Sequence, residues 1–171
     1  MRKISKKIFI LLIFLLFTGI CFAMDPAEGF WLSIDEKTGK PIAGWEIFIY
    51  EGKLYGRIVS LTGLEQNMRA DRCKNSYKGF PTPGKVSEMP VIGTTWIFGL
   101  VPVEGRPGQW KSGNVVDPND GSMYECKITL HPADGKKFKI ETLEMRGITI
   151  GPFGRSQFWQ RATRIEATSL R

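Results

Sequence analysis

Trp45-Glu46-Ile47-Phe48-Ile49-Tyr50-Glu51-Gly52-Lys53-Leu54-Tyr55-Gly56-Arg57-Ile58-Val59-Ser60 decides the fold class. Trp45, Ile47 and Ile49 recur at every second position. Leu54, Gly56, Ile58 and Ser60 do the same on the returning run, opposite Tyr55, Arg57 and Val59. A period of two belongs to a strand with one face in a core, whereas an amphipathic helix repeats at 3.6. Glu51-Gly52 separates the runs and predicts a tight two-residue hairpin turn.

The same pattern extends in both directions. Gly29 to Asp35 reads as a first strand, ended by Glu36-Lys37-Thr38-Gly39-Lys40. Further strands are expected over Gly93–Leu100, Trp110–Val116 and Ser122–His131, with Asp117-Pro118-Asn119-Asp120-Gly121 as a turn between the last two. Tyr124, Cys126, Ile128 and Leu130 share one face. After the turn Pro132-Ala133-Asp134-Gly135, Phe138 and Ile140 alternate, but Leu143 and Met145 fall on the opposite parity. That phase slip predicts a β-bulge near Thr142. The last strand is Ser156–Ile165, and the tail Glu166–Arg171 is expected to fray. Residues 62–92 are rich in Gly, Pro, Lys and Asn and lack alternation. They are expected to lie across the surface or mouth of the domain, pinned by Cys73, with a helical turn around Leu64–Met68. About eight short antiparallel strands with tight turns make an all-β chain, an up-and-down barrel or a sandwich.

The N-terminus has a different character. Met1-Arg2-Lys3-Ile4-Ser5-Lys6-Lys7 holds four positive charges and no acid, and the ten residues Ile8 to Phe17 carry no polar side chain. Cys21-Phe22-Ala23 follows, with small residues at the −3 and −1 positions of a cleavage site. These are the three parts of a secretory signal peptide over residues 1–23. The apolar run falls short of the roughly 20 residues that a membrane-spanning helix needs, so the mature form is expected to have no transmembrane span. Lipoprotein processing at Cys21 is disfavoured, because bulky Ile20 stands where a small residue is usual. The mature domain, 24–171, is thus expected in the periplasm or outside the cell.

Removing the leader changes the composition. Of 24 Lys and Arg the leader holds four, and of 17 Asp and Glu none, so the mature part carries 20 against 17, a net of +3. Interspersed charge at that level gives no case for nucleic acid, which selects a clustered basic face. Three cysteines become two, Cys73 and Cys126. An even count in an oxidising compartment predicts a Cys73–Cys126 disulfide, with two buried free thiols as the alternative. The remaining 148 residues suffice for one domain with its own core, without a structural metal.

Gly29-Phe30-Trp31 opens the first strand and Trp159-Gln160-Arg161 lies on the last. This pairing resembles the lipocalins and other calycins. In those folds a Gly-x-Trp meets an arginine from the last strand, which packs over the indole and closes the barrel base. More of the chain resembles a family of small exported bacterial proteins catalogued as domain of unknown function 2147. The shared segments include Asp25-Pro26, Ile47 to Gly56, Pro90-Val91-Ile92-Gly93, Trp110-Lys111-Ser112-Gly113 and Val116-Asp117-Pro118 with Asp120-Gly121 and Tyr124. Arg146-Gly147 and Gly154-Arg155 with Trp159 and Arg161 continue the match. The loop around Asp71-Arg72-Cys73-Lys74-Asn75 departs from the pattern, with Ser76 where a proline is common. The resemblance implies a lipocalin-like barrel, structural closure by Trp31 and Arg161, and no established activity.

Candidate chemistry is sparse. His131 is the single histidine and precedes Pro132 at a strand end, which argues against a histidine-based triad or zinc site. Asp117, Asn119 and Asp120 miss the calcium-loop spacing and lack a closing glutamate, so they read as a turn and no metal site is expected. No cofactor is implied. Arg146 and Arg155 read as polar groups inside or at the mouth of the barrel, with Asp117 and Glu144 as possible partners. Trp45, Trp96, Trp110 and Tyr124, with Phe98, would line an apolar cavity or fill the core. The leading expectation is an exported barrel that binds a small hydrophobic, amphipathic or lipidic ligand. The alternative is an envelope interaction or structural module acting through its surface or the 62–92 loop. No nucleophile–base pair or carboxylate pair is recognisable, so an enzyme is not expected. Mass spectrometry of the exported protein is expected to give a mature N-terminus at Met24; a diacylated Cys21 would contradict the reading of the leader.

Overall fold

The computed structural model describes residues 24–171 except Leu64, Gln66 and Pro152. The expected leader, 1–23, lies outside the described residues, as do Leu64 and Gln66 of the helical turn expected at 64–68. Eight strands follow in order: β1 Gly29–Ile34, β2 Pro41–Tyr50, β3 Lys53–Leu61, β4 Thr95–Pro102, β5 Gln109–Val116, β6 Met123–His131, β7 Thr142–Ile150 and β8 Phe153–Ala162. Each pairs antiparallel with the next, and β8 returns to pair with β1, so the sheet closes into an up-and-down barrel. Closure pairs the first and last edges, which would otherwise template association with other chains.

The hairpin turn forms as its residues require. Glu51 and Gly52 have φ of 48° and 71°, the two positive values of a type I′ turn, whose twist matches the flanking strands. Inside, alternation sends Trp31, Trp45, Ile47, Leu54, Ile58 and Trp159 into one buried layer. Gly56 and Gly113 belong to the same inner face, and both are glycine because space has run out. A Cβ on Gly56 would lie 2.7 Å from the Ile47 side chain, and one on Gly113 2.4 Å from that of Leu100.

Residues 62–92 are tied down by packing. Phe80 sets its ring edge-on to Trp96 and Phe98, at 5.9 and 5.4 Å. Trp96 donates its indole N–H to the Val91 carbonyl at 2.7 Å. Ala70, Val86 and Val91 are buried, and a short 3₁₀ turn spans Val86–Glu88. Tyr77 accepts the Lys74 amide and donates to the Gly121 carbonyl, fixing the segment to the β5–β6 turn. That turn is held by its own side chains: Asp117 caps the Asn119 amide and Asp120 the Ser122 amide.

Three expectations are corrected. The Cys73–Cys126 disulfide is absent, and both cysteines are free, buried thiols. Cys73 packs on the Gly121 turn, whereas Cys126 lies between Gly113 and Gly147, three residues into β6. Three residues of strand rise put it roughly 10 Å beyond Met123, while bridged Cα atoms stand within about 7 Å. The bulge expected near Thr142 is instead a boundary: 132–141 form a loop, β7 starts at Thr142 in regular register with β6, and the irregularity falls between Ile148 and Ile150. The tail is also ordered. Residues Arg164–Thr168 form a helix, α1, in which Thr163 and Glu166 make a reciprocal capping box.

The helix explains Gly44. Ala167 is fully buried, and its carbonyl accepts the Ser60 hydroxyl at 2.5 Å. A Cβ on Gly44 would lie 1.8 Å from that carbonyl oxygen. Gly44→Ala is therefore expected to displace α1 and cost about 1–3 kcal/mol, the ordinary penalty of overpacking. Urea unfolding would show it as a lowered midpoint, and an unchanged midpoint would contradict the account.

Candidate functional site

One end of the barrel is sealed. The Arg161 guanidinium lies over the Trp31 indole, 3.8 Å from ring centre. Its Nε donates to Glu141 Oε2 at 2.5 Å, Nη1 to the Glu28 carbonyl at 2.7 Å, and Nη2 to the Pro26 carbonyl. Trp31 in turn donates to the Ala27 carbonyl at 3.0 Å. Asp25 takes the Trp110 indole N–H and the Gly108 amide, both at 3.2 Å. The segment 25–28 is thus strapped across this end. Just inside it, Trp45 and Trp159 stack with centroids 4.7 Å apart. All three guanidinium nitrogens of Arg161 thus take part in closure.

The other end is built differently. On the inner face of β6–β8 stand Tyr124, Met145, Gly147 and Gln157. Tyr124 and Gln157 are only half-buried, and Gln157 Oε1 accepts the Trp159 indole N–H at 3.2 Å. Arg155 sits at the rim, 80% exposed, with Nη2 3.9 Å from Glu36 Oε2.

The six residues expected to form a ligand site do not converge. Trp45 and Trp110 belong to the sealed base, and Tyr124 and the exposed Arg155 to the opposite end. Trp96 is on the outer face, since its neighbour Ile97 shares the inner face with Ile47 and Gly56, and the 62–92 loop covers it. Arg146 is also on the outer face. It alternates with Met145 and Gly147, and donates to Ser156 Oγ at 3.1 Å.

That outer wall carries a polar row that sequence reading missed as a unit. His131 Nε2 is 2.9 Å from Glu144 Oε2, and Ser156 donates to Glu144 Oε1 at 2.6 Å. Phe138 stacks on the His131 ring at 4.4 Å, and Phe158 adjoins both. The signal was parity: residues 131, 144, 146 and 156 fall on one face once 132–141 is read as loop rather than strand. Serine here bonds to the carboxylate, so no serine–histidine pair forms.

Three comparisons bear on this barrel. A family model described as "Uncharacterized protein conserved in bacteria (DUF2147)" matches residues 29–161. Among solved structures, protein HP1028 from the human pathogen Helicobacter pylori, described as belonging to the lipocalin family, superposes with a TM-score of 0.63. It shares 19% identity over 85% of this chain and 90% of its own, a likeness of fold alone. No curated protein matches the chain. Among the described residues no helix is long and apolar enough to cross a membrane.

The row has a pH consequence. Burial pushes the Glu144 carboxyl up, but hydrogen bonds from Ser156 and His131 and the charge of Arg146 outweigh it, holding the group below its ordinary 4.5. A depressed carboxyl stabilises the fold above its unfolded pKa, and that contribution is lost as pH falls through the folded value. The stability gap between wild type and Glu144→Gln is therefore expected to shrink between about pH 6 and about pH 3. Urea midpoints across that range test it; a constant gap would contradict it.

Proposed function

The chain belongs to the DUF2147 family, and we propose that it is an exported, non-catalytic barrel that holds a small amphipathic or lipidic molecule, admitted at the end opposite Arg161. The family and the lipocalin-like fold carry the coarse statement. The signal-like leader supports export to the periplasm or beyond.

Gly147 carries the finer statement. Gly56 and Gly113 are glycine because a Cβ would collide with core side chains. Gly147 faces no such collision: a Cβ there would make ordinary contact with Tyr124 at 3.6 Å, and the backbone needs no left-handed conformation. Neither crowding nor chain geometry demands glycine at this inner-wall position. Leaving it bare keeps the room of a methyl group free beside Tyr124, at the end opposite Arg161. Tyr124 and Gln157 supply polar atoms there, and Met145 an adaptable apolar surface. The non-catalytic reading is supported by Ser156, which donates to Glu144 rather than to the His131 ring.

Native mass spectrometry of the protein purified from its own envelope is expected to show a bound species, released into organic solvent. Gly147→Phe, which would project a ring over Tyr124, is expected to weaken rebinding about tenfold or more while leaving the circular dichroism unchanged. A protein that emerges empty, or equal rebinding by Gly147→Phe, would overturn the proposal.

A further inference from the structure

On the outside of the barrel, the loop 132–141 and the β7–β8 wall border an open groove of about 410 Å³. Ile34, Phe138, Ile140 and Phe158 form its apolar walls, and Lys137 and Lys139 stand on its rim. That volume lies within the range of small-molecule sites. Ile140 and Phe158 leave 44% and 39% of their surface exposed, so the apolar walls are accessible.

The rim is basic because the nearby acids are committed elsewhere. Asp134 caps the Lys136 and Phe138 amides, at 2.8 and 2.9 Å. Glu141 is held by Arg161, and Glu144 by His131 and Ser156. Glu36 lines the groove too, with its carboxylate toward Arg155. Among the described residues no carboxylate lies within ion-pair distance of Lys136, Lys137 or Lys139. The loop is also preorganised: the Asp134 cap sets its backbone, and the Phe138–His131 stack fixes its far side. Ordering it on binding therefore costs little.

We infer that this groove is a second binding site, distinct from the barrel interior, for a single-chain anionic amphiphile. Its alkyl chain lies along Ile34, Ile140 and Phe158, and its carboxylate or phosphate head takes charge-assisted hydrogen bonds from Lys137 and Lys139. A concave site favours an individual molecule over a bilayer surface, which a protruding helix or loop engages. The inference is independent of the interior site.

The test is a titration of the whole mature protein with dodecyl phosphate, kept below its micelle concentration and followed by amide ¹H–¹⁵N shifts. Saturable shifts are expected at residues 136–141 and 158–160. Lys137→Glu combined with Lys139→Glu, both exposed positions, is expected to weaken them about tenfold or more, as is Ile140→Ser. Shifts around Tyr124 and Gly147 read the interior separately, so either site can fail alone. Equal binding of inorganic phosphate would reduce the groove to a charge patch and overturn the inference. So would an unchanged affinity in the charge-reversed variant, or binding only to phosphatidylglycerol vesicles.

Discussion

A guanidinium over an indole face gains little in water and more where water is kept away. The Arg161–Trp31 contact is of the second kind, because Trp31 is fully buried and the strap 25–28 covers it. Three constraints meet at this point. It fastens the closing seam β1–β8, it ties the N-terminal segment to the last strand, and it links the loop 132–141 to the base through Glu141. The polarity of the barrel follows. One end is aromatic and tied together by hydrogen bonds from Arg161, Trp31 and Trp110, and the opposite end carries the half-buried Tyr124 and Gln157.

The outer wall is arranged with similar economy. Asp134, Glu141 and Glu144 each accept hydrogen bonds from groups other than the loop lysines, so the lysines of that loop have no carboxylate partner among the described residues. Apolar side chains sit beside them because Phe138 is pinned on His131 and Phe158 alternates outward on β8. A surface with exposed phenylalanine and isoleucine next to cations that lack a carboxylate partner suits a ligand with both characters.

Much of this was legible in the sequence, for physical reasons. Strand alternation is a local property, so the hairpin Trp45–Ser60 and the positions of most strands could be read directly, while alternation alone leaves barrel or sandwich open and the resemblance decides between them. The Gly-x-Trp and the final arginine specify one contact, and it is the contact that closes the ring. Facing across distant segments was less legible. Trp96 alternates as a core residue would, yet its core is the gap beneath Phe80, outside the barrel. Phe138 and Ile140 mimic a strand because an Asp134-capped loop happens to place them two apart. The tail did carry a signal, the Thr163-x-x-Glu166 capping box, but the helix it starts is only five residues long. The cysteines were paired by arithmetic, whereas burial in two separate environments leaves them as thiols.

The seam has a bearing on how the chain reaches this state. Arg161 bonds to the Glu28 carbonyl across 133 residues of sequence, so the decisive contact is among the most non-local in the molecule. Loop-closure entropy must be met before such a contact forms. Partly made sheets of this topology carry two open edges until then, each able to pair with a neighbour. A nascent chain cannot close its ring until its final strand has been delivered. The tryptophan–arginine clasp belongs to that closure, which leaves neither β1 nor β8 with an open edge.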